Sequence, residues 1–291
     1  MALSLKELSL LHPCFAQGGF NGKGRIHLPV SPGCNIQCKF CVRKINDVDQ
    51  ALGVSADIIS PEEAVEVVRR AIEAEPDITV AGIAGPGDTL ATPYALETFR
   101  RIKQEFPKML TCMSTNGLLL PDKADEIIDA QVDTLTVTVN AVDPHIQEQI
   151  CSHAFYHGKS YKGIDAARLL IKNQLEGIKK VSSAGVVVKV NTVLVPEINA
   201  DHVIEVARTV SKAGASIYNI IPLIPQGELS WCSAPDCAEL NKLRIEAGRY
   251  LRVFCHCQRC RADAIGILGG TDISQKIYVR PVQADLTFSH G

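Results

Sequence analysis

The chain has 291 residues, 46% apolar and 5% aromatic, with 30 basic against 32 acidic side chains and a net charge of −2. That length fits one (β/α) barrel or doubly wound domain, or two small domains, and the charge balance excludes a basic footprint for nucleic acid or an anionic membrane. No run of 18 apolar residues occurs and the opening MALSLKELSLLHP lacks a signal-peptide pattern, so a cytoplasmic protein without a spanning helix is expected.

Residues 25–31 (RIHLPVS) predict a first strand, ending just before a cysteine run at 34–41. Ser60, Pro61 and Glu63 then read as a cap, a first-turn proline and the acid of a capping box, opening a helix through EAVEVVRRAIEA. ITVAGI (78–83) predicts the second strand, and Thr92-Pro93 opens a helix to about residue 106. MLTCMS (109–114) and DTLTVTV (133–139) predict the third and fourth strands, with a helix near 121–130 between them. A long helix near 163–183 precedes the fifth strand, VVVKVNTVLV (186–195). SIYNIIPL (216–223) is the sixth, followed by a helix at about 235–251.

Six strands, each followed by a helix, argue for a parallel sheet with right-handed crossovers. Six units fall short of a closed eight. The expected fold is therefore α/β: a partial (β/α)6 TIM-type barrel over 25–252, with extensions at 1–24 and 253–291. Gly85, Gly87, Asp88, Ser114, Asn116, Thr138, Asn140 and Asn191 gather at or just after strand ends, the edge where parallel α/β folds place their chemistry. Any one of them could simply make a turn.

Eleven cysteines are many for a chain in a reducing compartment, and an odd number suits disulfide pairing badly. Residues 34–41 read CNIQCKFC, so Cys34, Cys38 and Cys41 follow the first strand at spacings of four and three. A tetrahedral zinc site wants four ligands, and a [4Fe–4S] cluster normally takes four thiolates. Three thiolates leave one iron with an open coordination position, able to bind and reduce a molecule directly.

CxxxCxxC after the first strand of an α/β barrel resembles the radical S-adenosylmethionine (SAM) superfamily, and Phe40 holds the aromatic position before the third cysteine. The resemblance implies that the unique iron chelates the amino and carboxylate groups of SAM and that one electron releases a 5′-deoxyadenosyl radical. It places AGIAGPGDTL at the glycine-rich motif for the SAM amino group, pointing to Gly85, Gly87 and Asp88, although the usual Glu is absent. Ser114, Asn116, Thr138, Asn140 and Asn191 would reach the ribose and carboxylate, and Ile221 and Pro222 would back the adenine.

Two further cysteine stretches stand out: HPCF (12–15) and FCHCQRCRADAIG (254–266). Together with RIHLPV, PGCNIQCKFCVRK, AGPGDTLA, STNG and VTVNAVDP they resemble the NifB family of nitrogenase cofactor maturases over most of the chain, in its short stand-alone form. The resemblance implies three [4Fe–4S] clusters, one binding SAM and two serving as units fused with a SAM-derived carbide and an added sulfide into an eight-iron cofactor precursor. It implies Cys14, His27 and Cys112 as ligands of the first auxiliary cluster, with imidazole the more labile donor. Cys257 and Cys260 would hold the second, with Cys255 the nearest candidate for a third ligand. A tail zinc site remains the alternative there. It further implies that one SAM methylates a cluster sulfide and a second supplies the radical that takes a hydrogen from that methyl. Implied partners are a cluster donor, an electron donor of ferredoxin or flavodoxin type and a downstream cofactor carrier or scaffold, with no nucleic acid and no membrane.

Arg25, Arg43 and Lys44 could balance sulfide-rich clusters or be bland surface charges. His12, His145, His153, His157 and Cys151 carry no expected role, and Cys232 and Cys237 read as structural or as spare ligands. Two rival readings stand: another radical SAM enzyme with auxiliary clusters, peptide-modifying or sulfur-inserting, and a non-enzymatic iron–sulfur scaffold.

Overall fold

A computed structural model of the chain describes residues 3–16, 18, 21–46, 49 and 52–278. The expected extensions at 1–24 and 253–291 lie partly outside these residues. Among the described residues, eight strands build the main sheet: β1 (Gly24–His27), β2 (Ile78–Ile83), β3 (Leu110–Thr115), β4 (Thr134–Thr138), β5 (Val187–Leu194), β6 (Ile217–Pro222), β7 (Arg252–Val253) and β8 (Ile265–Ile267). Their spatial order is β7-β6-β5-β4-β3-β2-β1-β8. All neighbouring pairs from β1 to β7 are parallel, and only β8 runs antiparallel, against β1.

The longer helices clothe the outside: α1 (Pro61–Ala74), α2 (Tyr94–Glu105), α3 (Leu120–Asp129), α4 (Gly163–Ser183), α5 (Val203–Ala213) and α6 (Cys237–Ala247). At the start of α1 the Ser60 hydroxyl accepts from the Glu63 amide while the Glu63 carboxylate accepts from the Ser60 amide, the reciprocal bonding that SPEE predicts. The core lies between these helices and the outward strand faces, with Ile26, Ala81, Met113, Leu135, Val188 and Val190 among its buried residues. Period-two alternation then leaves Arg25, His27, Gly82, Cys112, Ser114, Thr136, Lys189 and Asn191 on the cavity side. The partial TIM-type barrel expected from six repeated units is the fold.

Three differences refine it. The first strand, expected over 25–31, stops at His27, because Pro29 has no amide to continue the ladder and the Val30 amide turns back to the Leu28 carbonyl. A seventh parallel strand, Arg252–Val253, straddles the expected end of the barrel at 252. The C-terminal extension is itself part of the sheet, since β8 seals the open edge at β1, with Arg25 opposite Gly266.

A separate three-stranded sheet joins Ile36–Cys38 to a hairpin of Cys151–Tyr156 and Lys159–Lys162. At the opposite end a helix, Leu5–Leu11, sets Leu8 against Val80 and Leu110 and plugs the barrel floor. Among the described residues no helix is long and apolar enough to cross a membrane.

Candidate functional site

The end of β1 leads directly into the cysteine run. Gly87 is wedged there: its amide donates to the Ser31 carbonyl at 2.7 Å, and a Cβ would collide with the Gly33 carbonyl oxygen. The loop after β2 is thereby pressed against the loop that carries Cys34. Cys34, Cys38 and Cys41 line one cavity with Phe40, Arg43, Gly87, Asp88, Ser114, Asn116, Thr138 and Asn140. The Asn116 amide nitrogen lies 3.8 Å from the Cys34 sulfur, and an Arg43 guanidinium nitrogen 3.9 Å from that of Cys41.

Burial pushes the Cys34 thiol up to about 12 and raises Cys41 as well. A hydrogen bond to Cys151, together with burial, raises Cys38 well above its ordinary value. Thiols shifted this way keep their protons until a metal displaces them. Three soft donors line the cavity, with an amide and a guanidinium beside two of them, while the Cys151 thiol bonds Cys38 from outside that lining; three ligands suit a cluster with one open iron better than a closed four-ligand site. The buried Gln147 and Gln174 line the same cavity, and their side-chain oxygens have no partner among the described residues. Such acceptors suit the amino and hydroxyl donors of SAM.

Asp88 behaves differently from a ligand. Its carboxylate accepts from the Thr115 hydroxyl at 2.9 Å, the Leu90 amide at 3.0 Å and the Asn116 amide at 2.5 Å. It braces the turn after β3. Gln174 reaches in from α4 to do the same, donating to the Asn116 and Thr138 carbonyls. Asn140 accepts from the Val193 amide, tying β4 to β5. Gly85 makes its turn at φ +134°. Ile221 and Pro222 line an adjoining cavity with Phe40, Cys41 and Arg259.

Asn191, expected beside the ribose, instead lines a second cavity deeper in the barrel. This cavity brings together Cys14, His27, Cys112, Cys257 and Cys260, residues far apart in the sequence, and shares Ala84 and Ser114 with the cavity of the cysteine run. His27, Gly82 and Cys112 are register partners on β1, β2 and β3. With no side chain on Gly82, the space above the β2 backbone is open between the His27 and Cys112 side chains, whose strands lie about 10 Å apart. A Cβ there would stand 3.1 Å from the His27 ring. The His27 Nδ1 lies 2.9 Å from the Arg261 carbonyl oxygen, so Nδ1 carries the proton and Nε2 is left as the free base. Burial lowers its pKa to about 4, which keeps the ring neutral. A neutral imidazole and two thiols around a cradle opened by glycine fit an iron–sulfur unit.

Arg25, on the same face of β1, places a guanidinium nitrogen 3.1 Å from the Cys260 sulfur. Arg259, between Cys257 and Cys260, takes a left-handed φ of +51°. Cys255 is exposed and does not line this cavity, whereas His12, Lys189 and His256 do. Lys44 is exposed and pairs with Asp49. His145 and His157 are exposed. His153 lies in the hairpin sheet, Cys232 packs under the loop after β6, and Cys237 is exposed at the start of α6. Among the described residues no three His, Cys, Asp or Glu side chains converge on a point as a single ion would require.

Residues 28–210 match the Radical SAM superfamily. The chain is 43% identical over 269 residues to the FeMo cofactor biosynthesis protein NifB of Methanocaldococcus infernus, covering 92% of this chain and 89% of that one. It belongs to the NifB family of radical SAM proteins. The NifB of Klebsiella pneumoniae is 41% identical over 283 residues, but this chain spans only 60% of it. Among solved structures, Streptococcus suis SuiB bound to SAM superposes with a TM-score of 0.57 at 14% identity over 79% of this chain and 49% of that one. A radical SAM methyltransferase from Sphaerobacter thermophilus gives 0.58 at 19% identity over 79% and 65%. These two likenesses show the fold.

Gly82, Gln147 and Gln174 are not among the residues the sequence points to. Gly82 stands in an otherwise apolar strand, where a lone glycine signals close approach, and that signal was available. Gln147 and Gln174 sit in helices and carried no signal.

Proposed function

We propose that this chain is a SAM-cleaving enzyme of nitrogenase cofactor biosynthesis that joins two [4Fe–4S] units, a SAM-derived carbide and an added sulfide into an eight-iron precursor. The observation that carries the reading is the pair of adjoining cavities. One is built on Cys34, Cys38 and Cys41, and the other collects Cys14, His27, Cys112, Cys257 and Cys260, with Ala84 and Ser114 lining both. Proximity across one shared wall is what a radical made in the first cavity would need to reach a substrate in the second.

Cys34, Cys38 and Cys41 would hold the resident cluster, which when bound supplies the electron that cleaves SAM. Asn116 and Arg43 stand beside two of the three sulfurs and would support their charge. Gln147 and Gln174 offer acceptors to SAM, and Phe40, Ile221 and Pro222 offer it an apolar wall. Asp88 positions the turn after β3 rather than SAM itself. In the second cavity Cys14, His27 and Cys112 would hold one iron–sulfur substrate, and Cys257 and Cys260 the other. Weak imidazole ligation and a two-cysteine anchor suit units that must be remodelled and released. Four partners follow from this chemistry: SAM, a cluster donor, a low-potential electron donor of ferredoxin or flavodoxin type, and a carrier that takes the product.

The test is anaerobic reconstitution. About twelve irons per chain are expected for three cubanes, falling by about four when Cys34, Cys38 and Cys41 are all replaced by Ala. With synthetic [4Fe–4S] units, SAM and reductant, the product should activate a cofactor-deficient nitrogenase. SAM cleavage without an eight-iron product would mark a different radical SAM enzyme. Iron binding without 5′-deoxyadenosine would mark a scaffold.

A further inference from the structure

Among the described residues, the wall of the second cavity contains three cationic side chains, Arg25, Lys189 and Arg259, and no Asp or Glu. Lys189 is the least expected of them. It interrupts an apolar strand, β5, and is only 7% exposed. Its ammonium lies 5.1 and 5.4 Å from the ring centroids of Phe15 and Phe254, one from each end of the chain, and has no carboxylate partner among the described residues. Two aromatic faces hold such a charge in place without neutralising it. Lys189 lines the same cavity as Cys14 and Cys112, and its strand β5 is joined through β4 to β3, which carries Cys112.

His12 stands in the same corner. It is 1% exposed, and its ring packs on Phe15 at 4.5 Å between centroids. Its Nδ1 accepts the Cys14 amide proton at 3.2 Å. A neutral imidazole that accepts at Nδ1 carries its hydrogen on Nε2. That Nε2 has no partner among the described residues. The tautomer is the reverse of the one fixed in His27. His27 therefore presents a base suited to iron, and His12 an N–H suited to an anion.

We propose that Lys189 and His12 form the sulfur-recognising corner of the second cavity: the Lys189 ammonium lies against, and the His12 Nε2–H donates to, sulfur of the anionic iron–sulfur substrate held by Cys14, His27 and Cys112. The corner rests on the reading of this cavity given above. Both residues act through the bound unit as positioning residues. A cation and an N–H donor beside a cluster favour its more negative, reduced state, as charge and hydrogen bonds to sulfur do in iron–sulfur proteins generally.

The experiment uses the full chain with Cys34→Ala, Cys38→Ala and Cys41→Ala, reconstituted anaerobically with iron and sulfide, so that bound iron reports the second cavity alone. Iron per chain and the midpoint potential are read for this parent and for added Lys189→Met, Lys189→Arg and His12→Asn. Asn at position 12 keeps an acceptor for the Cys14 amide and removes the distal donor. The expected result is a midpoint shifted negative and iron retention reduced several-fold in Lys189→Met, both restored towards the parent in Lys189→Arg. His12→Asn should shift the midpoint in the same direction with its melting curve intact. Should Lys189→Met not fold, Lys189→Gln is read in its place. If the charge-removing variant and His12→Asn both keep the parent's potential and iron content, the corner is wrong while the cavity assignment survives. A parent that takes up no iron overturns the cavity assignment and the corner with it.

Discussion

Asp88 and Gly82 show how single residues set the two cavities. The Asp88 carboxylate is buried and receives a hydroxyl and two amides, so exchanging one oxygen for an amino group points a donor at donors. Asp88→Asn is expected to destabilise the fold by about 1–3 kcal/mol, seen as a lower melting temperature, and to weaken SAM binding because the turn carrying Asn116 loosens. An unchanged melting curve with weakened binding would instead make Asp88 a direct contact. Gly82 is a cleaner probe of the second cavity. Its φ is not in the left-handed range, so Ala is compatible with the backbone, but the added methyl would meet the His27 ring. That ring is held from behind by the Arg261 carbonyl. Gly82→Ala should leave the apo fold near its parent stability and lower the iron bound when Cys34, Cys38 and Cys41 are absent. Equal iron uptake would remove His27 from the ligand set.

At the scale of elements, what the sequence made legible and what it hid separate by length and by range of contact. Strands β2 to β6 announced themselves as apolar runs bounded by turns, and α1 by its capping box, because those signals are local. Two-residue β7 and three-residue β8 are too short for any periodicity, and the hairpin at 151–162 (CSHAFYHGKSYK) carries too much polarity to read as strand. RIHLPVS suggests a strand to residue 31 because its apolar run continues past Pro29, before which the ladder in fact ends. The three cysteines at 34–41 were legible from spacing. The gathering of Cys14, His27, Cys112, Cys257 and Cys260 was not, since it depends on pairings that span most of the chain; only likeness to a family pointed to it. The same logic governs the packing of α3 on α4. A Cβ on Gly177 would stand 2.5 Å from the Leu120 Cγ, so the two helices meet where one has no side chain. Ala is the better helix former by about 1 kcal/mol, yet overpacking a tight contact costs about 1–3 kcal/mol. Gly177→Ala is therefore expected to be destabilising or, at best, neutral in chemical denaturation. A clear gain in stability would show that the helices can move apart.

For the whole molecule, segments from the N-terminal and C-terminal parts of the chain meet beside the second cavity. Phe15 from the N-terminal segment and Phe254 from the C-terminal one pack together with Ile217 beside the second cavity, and Arg252 donates to the Phe15 carbonyl. Farther along, Arg261 fastens the tail. Its guanidinium binds both oxygens of Asp263 at 2.9 Å and donates to the Asn46 and Asp49 carbonyls. Asp263 in turn accepts from the Ala56 amide at 2.6 Å. Both charged side chains are nearly inaccessible, at 7% and 5% exposure, so neither can fall back on water if the other is lost. Removing one member of such a pair typically costs about 3–5 kcal/mol, because the remaining charge is stranded. Arg261→Met should therefore destabilise the chain by that order, and the loss should be uneven. Proteolysis under native conditions should cut first within 254–264, where the Arg261 carbonyl also fixes the His27 tautomer, and auxiliary iron should fall before the iron on Cys34, Cys38 and Cys41 does. Replacing both Arg261 and Asp263 by apolar residues should recover most of the stability but not the iron, because the fastening can be repacked while the presentation of Cys257 and Cys260 cannot. Loss of both iron populations in parallel would mean that the tail and barrel unfold as one unit.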